Sequence, residues 1–232
     1  MPFSDVNERA SEIRGRVADA VRRGGHGQEV RIIAVTKTHG PAAVRAALAA
    51  GIHDVGENKV QEAIDKQDAL ANAGTPPEGV RWHLIGHLQR NKVKFIDRFV
   101  MLHALDSARL ADAVHQHGER SGRPVQCLLQ VNVAGEETKG GFAPSEVQAE
   151  AERLRPMSGI RIVGVMTMAP FDASEGTLRR VFAGARQVRD TLVGAGHPAH
   201  ELSMGMSGDY VIAVEEGATM VRLGTVLFGA RA

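Results

Sequence analysis

Eight short apolar runs, each separated from the next by a connecting segment and most of those segments helical in pattern, constrain this 232-residue chain more than any other feature. The runs are Val30–Thr36, His53–Glu57, Arg81–Gly86, Phe99–Leu105, Gln126–Val133, Ile160–Thr167, Glu201–Met204 and Thr219–Gly224. The first, fifth and sixth are almost continuously apolar and rich in Val and Ile, as parallel strands covered on both faces must be. Pro41 opens a helical pattern with Val44, Ala47 and Leu48 on one face, and Gly51 closes it. Val60, Ile64 and Leu70 mark a second, and Ser107 stands as the cap of a third that carries Leu110 and Val114. Leu178, Val181, Ala185, Val188 and Leu192 form a longer stripe that stops at Gly194-Ala195-Gly196. One more amphipathic helix precedes them all, with Val6, Ala10, Ile13, Val17 and Val21 in register, Ser4 as cap and Gly24-Gly25 as stop. Strands alternating with helices make βαβ units and a parallel sheet. Eight such units predict an α/β fold of the (β/α)8 TIM-type barrel kind with an extra N-terminal helix; an open doubly wound sheet is the alternative. No linker or low-complexity segment divides the chain, so residues 1–232 read as a single domain of about one barrel's length.

Charge and cysteine content narrow the function classes. With 28 Lys+Arg against 27 Asp+Glu, the formal net charge is +1, which gives no electrostatic basis for binding nucleic acid or an anionic membrane. The single cysteine, Cys127, lies in an apolar run and reads as a buried, inert thiol of a reducing compartment. The opening residues show no basic stretch followed by an apolar one, and no run of about 18 apolar residues occurs. A soluble cytoplasmic protein is the expectation.

In a parallel barrel the chemistry sits where the strands end. The first run ends Ala34-Val35-Thr36-Lys37-Thr38, and of six lysines only Lys37 directly terminates a buried strand. The other lysines, 59, 66, 92, 94 and 139, read as occupants of helical faces or of the charged loop Gly135–Gly141. An amine rooted in apolar surroundings has its charged form disfavoured, which prepares it as a nucleophile; the bland alternative is a strand-end lysine reaching for water. Past the seventh run, Gly205-Met206-Ser207-Gly208 enters a helical stretch and offers backbone N–H groups and a hydroxyl to an anion. The eighth run ends Arg222-Leu223-Gly224-Thr225, which taken alone is more often a turn than a phosphate site. Barrels often bind phosphate with the loops after strands 7 and 8, and strand 8 closes beside strand 1. Arg222, inside an apolar run, needs either a structural partner or a ligand. Met166, Met168, Met204, Met206 and Met220 cluster at the sixth to eighth runs, and most of them read as barrel filler. His83 and His87 are separated by a turn at Gly86, and no metal site is expected. Glu136, Glu137 and Lys139 read as a solvated loop or a mobile lid.

The stretches Ala34–Thr38, Gly56-Glu57-Asn58-Lys59-Val60-Gln61-Glu62, Trp82–Lys92, Gly164–Met168, Leu202–Ser207 and Arg222–Gly229 together resemble the pyridoxal phosphate homeostasis (YggS/PROSC) family, in order and across nearly the whole chain. The resemblance implies the fold of the alanine racemase barrel domain and pyridoxal 5'-phosphate (PLP) bound covalently on Lys37. It further implies that Ser207, Gly208, Gly224 and Thr225 hold the phosphate, that Arg222 faces the pyridine nitrogen, and that Asn58 and Met166 lie near the ring.

An arginine facing that nitrogen keeps it unprotonated and weakens the electron sink on which transaminase-like chemistry depends. Racemization tolerates a weak sink but needs a second base, and the only tyrosine, Tyr210, leaves from the phosphate side. The expectation is therefore a monomeric carrier with no catalytic residues of its own, which stores, buffers or hands over PLP, with PLP-dependent apo-enzymes as partners. A PLP-dependent racemase or lyase on small amino acids is the competing class.

Overall fold

The computed structural model describes residues 3–74, 79–136 and 139–229. Each of the eight apolar runs coincides with a strand, the fifth shifted to start one residue earlier: β1 Arg31–Val35, β2 Asp54–Glu57, β3 Arg81–Leu84, β4 Met101–Leu105, β5 Val125–Gln130, β6 Ile160–Met166, β7 Glu201–Ser203 and β8 Met220–Leu223. All pair in parallel in chain order, and β8 pairs back onto β1, so the sheet is a closed barrel and not the open doubly wound alternative. Helix α1 (Val6–Gly24) precedes β1, and α2 (Pro41–Ala49) and α3 (Val60–Asn72) follow β1 and β2. Helices α4 (Ala108–Ser121), α5 (Val147–Leu154), α6 (Glu175–Gly194), α7 (Tyr210–Glu215) and α8 (Thr225–Phe228) follow β4 to β8 in turn. The connection after β3 differs: it carries a 3-10 stretch, Arg90–Arg98, which buries Val93 and Ile96.

Strand alternation sorts the side chains into two cores. Outward-facing Ala34, Val55, Trp82, Leu84, Leu202, Val221 and Leu223 pack under the helices. Ile33, Met101, Ala104, Leu128, Val163, Met166 and Met220 fill the barrel interior, with Met168 packed against them. Met204 belongs to the outer core, and Met206 is exposed, so the filler reading fails for Met206. Gly56 sits where a Cβ would come within 2.9 Å of the Ile33 side chain, so the inward face of β2 has no room beside β1. Cys127 is buried, and burial pushes its thiol up, out of the reactive range.

Two expected caps do not form. Helix α1 starts after Asp5, and the Ser4 hydroxyl donates to the Asp5 carboxylate. Ser107 does precede α4, but its hydroxyl donates to Asp106 Oδ1 and its oxygen accepts no bond from the helix. Each hydroxyl donates to the neighbouring carboxylate, and neither oxygen accepts from a first-turn N–H. Ser174 does cap α6, accepting from Thr177 N. Among the described residues no helix is long and apolar enough to cross a membrane.

Candidate functional site

Alternation along β1 puts Ile33 and Val35 on the inward face, and Lys37, two residues beyond the strand, continues it. Along β8, Met220 and Arg222 face inward, and the pairing of Ile33 with Arg222 sets these two positions side by side. Lys37 is half-buried, and among the described residues its ammonium makes no hydrogen bond or ion pair. Arg222 is 5% exposed. Its Nη1 donates to Ser203 O and Ser203 Oγ, each at 2.7 Å, and its Nη2 to Thr167 O at 3.0 Å. No carboxylate lies within ion-pair distance of it among the described residues. Burial pulls the guanidinium down to about 10, with Asp209 opposing from farther away. The structural-salt-bridge reading of Arg222 therefore fails: the cation is held by neutral oxygens.

The loop after β7 is shaped by Gly205, whose φ of +93° suits glycine and whose Cβ would fall 2.7 Å from the Ala213 side chain. That close approach brings the loop onto α7. Ser207 Oγ then accepts from Val226 N at 3.2 Å, tying the loop after β7 to the loop after β8. Gly208 is open, with nothing within 4 Å of the place a Cβ would take. Gly224 is half-buried against Val35 of β1, and Thr225 is exposed. Met166 ends β6 inside the barrel, 1% exposed. Asn58 follows β2 and touches Gly86 after β3, where a Cβ would clash with Asn58 O at 2.5 Å. Tyr210, the candidate second base, is buried, and its hydroxyl looks toward Arg16 of α1 without a hydrogen bond of normal geometry. It lies under α1, away from the inward face that carries Lys37.

Two clusters support this mouth and were not legible as such. The first lies behind Lys37. Lys66 of α3 is 5% exposed, and its ammonium donates to Thr36 O (2.7 Å), Glu57 Oε1 (2.6 Å) and Glu62 Oε1 (2.8 Å). Thr36 Oγ1 donates to Glu57 Oε1 at 2.5 Å, and Glu62 accepts from Thr38 N at 2.5 Å. The backbone on both sides of Lys37 is thereby fixed, and Thr38 is held at a φ of +67°. Burial raises the Glu57 carboxyl in spite of Lys66 and Thr36, whereas for Glu62 burial is outweighed by Lys66 and the Thr38 N–H, and its carboxyl is lowered.

The second cluster crosses the barrel interior and joins Asp54, His83, His103 and Ser203 to Arg222. His83 is buried there, whereas His87 is exposed and bonds Asp106 at 2.5 Å, so the two histidines do not meet. Among the described residues no cluster suits a metal ion. Glu137 lies outside the described residues; Lys139 bonds Glu136 Oε1 at 2.7 Å and Ala169 O at 3.0 Å.

His103 is 0% exposed, and burial, then His83 and Arg222, hold its imidazole well below the usual histidine range. As pH falls, the unfolded chain takes up this proton first. Stability is therefore complete above the unfolded value of about 6.5 and drops by about 1.4 kcal/mol per pH unit below it, until the folded value is reached. Unfolding free energies from urea titrations should stay level above about pH 6.5 and fall toward this slope below it, and His103→Gln should flatten the fall.

Residues 11–232 match the family described as alanine racemase, N-terminal domain. The pyridoxal phosphate homeostasis protein of Aquifex aeolicus is 37% identical over 227 residues, covering 97% of each chain. The Pseudomonas aeruginosa protein of the same name is 37% identical over 231 residues, 99% of this chain and 97% of its own. Among solved structures, PipY of Synechococcus elongatus with PLP bound superposes with a TM-score of 0.84 at 36% identity, covering 97% of this chain and 100% of PipY. Alanine racemase of Corynebacterium glutamicum shares the fold, with a TM-score of 0.73 at 16% identity over 99% of this chain and 62% of its own.

Proposed function

The chain belongs to the pyridoxal phosphate homeostasis protein family, and from that membership we propose that it binds PLP at the carboxyl-terminal mouth of its barrel and stores, buffers or delivers it. The observation that carries the site is the pairing of an inward-facing amine, Lys37, with a buried cation on the adjoining strand, Arg222, neither of which has a carboxylate partner among the described residues. Bound there, PLP supplies an aldehyde that condenses with a primary amine and releases water. Lys37 is the amine in this reading, and the Lys66 cluster keeps its backbone still while it reacts.

The residues present fit the cofactor. Of the five donors a guanidinium carries, Arg222 uses three on protein oxygens. A donor left unspent suits an unprotonated pyridine nitrogen, which only accepts. Ser207, Gly208, Gly224 and Thr225 line loops that the Ser207–Val226 bond holds together, and the open backbone at Gly208 lets a phosphate approach closely. Asn58 and Met166 flank the ring. The carrier reading follows from two features: Arg222 leaves the ring a weak electron sink, and Tyr210, turned toward α1, supplies no second base opposite Lys37. Receiving apo-enzymes are the partners in this reading, the protein acts as a monomer, and amino-acid and keto-acid levels respond through the cofactor supply.

The test is reduction of the PLP-loaded protein with borohydride followed by peptide mapping. The expected result is a single modified peptide, the one containing Lys37. An adduct on Lys92 or Lys139 would overturn the assignment.

A further inference from the structure

Resting on the reading of the mouth as a PLP pocket, we propose that Asp54, His83, His103 and Ser203 are positioning residues for Arg222, forming a hydrogen-bond relay of fixed direction through the barrel interior. The relay holds the guanidinium charged and aimed at the cofactor ring.

The geometry is continuous. Asp54 Oδ1 lies 2.9 Å from His83 Nε2, and His83 Nδ1 lies 2.9 Å from His103 Nε2. His103 Nδ1 lies 2.9 Å from Ser203 Oγ, which lies 2.7 Å from Arg222 Nη1. The five residues come from β2, β3, β4, β7 and β8, and none is more than 5% exposed. Their neighbours in the barrel are apolar: Ile33, Met101, Ala104, Leu128 and Met220. A string of buried polar groups in such a layer is costly unless every member is satisfied.

Its two ends decide where every proton sits. Arg222 is only a donor, so Ser203 Oγ accepts from it, and among the described residues His103 Nδ1 is the acceptor within reach of the Ser203 hydrogen. His103 Nδ1 is then an acceptor, and its proton is on Nε2, which donates to His83 Nδ1. His83 in turn carries its proton on Nε2 and donates to Asp54. Asp54, a carboxylate, only accepts, and it is held by Arg81 Nε at 2.9 Å and by a second bond from Arg81 Nη2. Both imidazoles are therefore neutral Nε2–H tautomers. A charged His103 would turn Nδ1 into a donor, leave the Ser203 hydrogen without an acceptor and place a second cation near Arg222. The oriented dipoles end in a carboxylate at the amino-terminal mouth, where Asp54 and Arg81 border a cavity of about 610 Å³. This array takes the place of the counterion that Arg222 lacks among the described residues.

The relay is tested first in the cofactor-free protein. Multiple-bond proton–nitrogen NMR with 15N-histidine should show two imidazoles fixed as neutral Nε2–H tautomers across neutral pH. A His103 that carries its proton on Nδ1, or is charged near neutrality, would overturn the proposal whether or not PLP binds. The second arm uses Asp54→Asn and Ser203→Ala. An amide at position 54 presents its NH2 either in place of Oδ1, toward His83 and Arg81 Nε, or in place of Oδ2, toward Arg81 Nη2. The first choice reverses the tautomers, and either choice breaks one bond of the Arg81 clamp. Ser203→Ala cuts the relay next to Arg222 but keeps the bond to the Ser203 carbonyl.

The expected result is a shifted absorption maximum in whichever PLP-loaded variant folds, with changed histidine nitrogen signals in the same sample. If both variants fold and load with PLP, and their spectra match the parent protein, the polar string is structural only and the proposal fails. Wild-type protein that takes up no PLP while keeping the fixed tautomers would instead sink the pocket reading.

Discussion

Lys66→Met is expected to destabilise the protein by about 3–5 kcal/mol near neutral pH, the size of effect seen when one partner of a buried ion pair is removed. The lysine bonds two carboxylates and a carbonyl while only 5% exposed, so its loss leaves the fully buried Glu57 without its cation. Thr36 Oγ1 alone would still donate to Glu57, and Glu57 Oε2 already has no partner among the described residues. The variant also carries a pH signature. Burial raises Glu57 already in the native protein, and without Lys66 the raising influence is unopposed except by Thr36. A carboxyl raised above its unfolded value favours the fold below that value and loses this contribution as pH rises through the folded value. The gap between variant and parent should therefore widen from acid toward neutral pH in denaturant titrations. Glu57→Gln combined with Lys66→Met should recover part of the loss. A variant within 1 kcal/mol of the parent at neutral pH would mean that water reaches Glu57 and that the cluster does not brace Lys37.

Lys66 also shows where the sequence stops being informative. Lys37 and Arg222 are legible because each is a charge set against an apolar strand, and an apolar run is a local pattern. Lys66 sits on a helix, where a lysine ordinarily reads as solvated. Its burial comes from Glu57, which belongs to the preceding strand and is brought over it only when α3 folds back on the sheet. The relay is dispersed in the same way, since Asp54, His83, His103 and Ser203 span 150 positions and share only an inward place on their strands. His83 and His103 fall on the strand faces that alternate with Trp82 and Leu84, or with Leu102, so alternation was the one signal that would have picked them out. The serine caps misled for the opposite reason: Ser4 falls one residue before the cap position, which Asp5 takes, and Ser107 stands at the cap but its oxygen accepts nothing from the helix.

Lys37→Ala is expected to reduce covalently retained PLP to background while leaving the barrel folded, because the Lys37 ammonium has no bond to lose among the described residues and lies half-exposed beyond the end of β1. The variant keeps the phosphate loops and Arg222, so PLP should still bind, but it should wash out on gel filtration under conditions where the parent retains it. Delivery then separates from binding. PLP-loaded parent protein should reactivate a PLP-dependent apo-enzyme, and the variant should do so less well at equal loading. The same pair of samples addresses the enzyme alternative. One positioned acid or base is worth about 10²–10⁴-fold in rate, and the chain's one tyrosine hydroxyl is buried toward α1. Alanine α-proton exchange in D2O should consequently stay near the rate of free PLP in both samples. Fast, stereochemically complete exchange that depends on Lys37 would require a second base at the mouth and would replace the carrier reading with a racemase. Cofactor that stays bound to the variant after denaturation would instead move the covalent anchor to another amine.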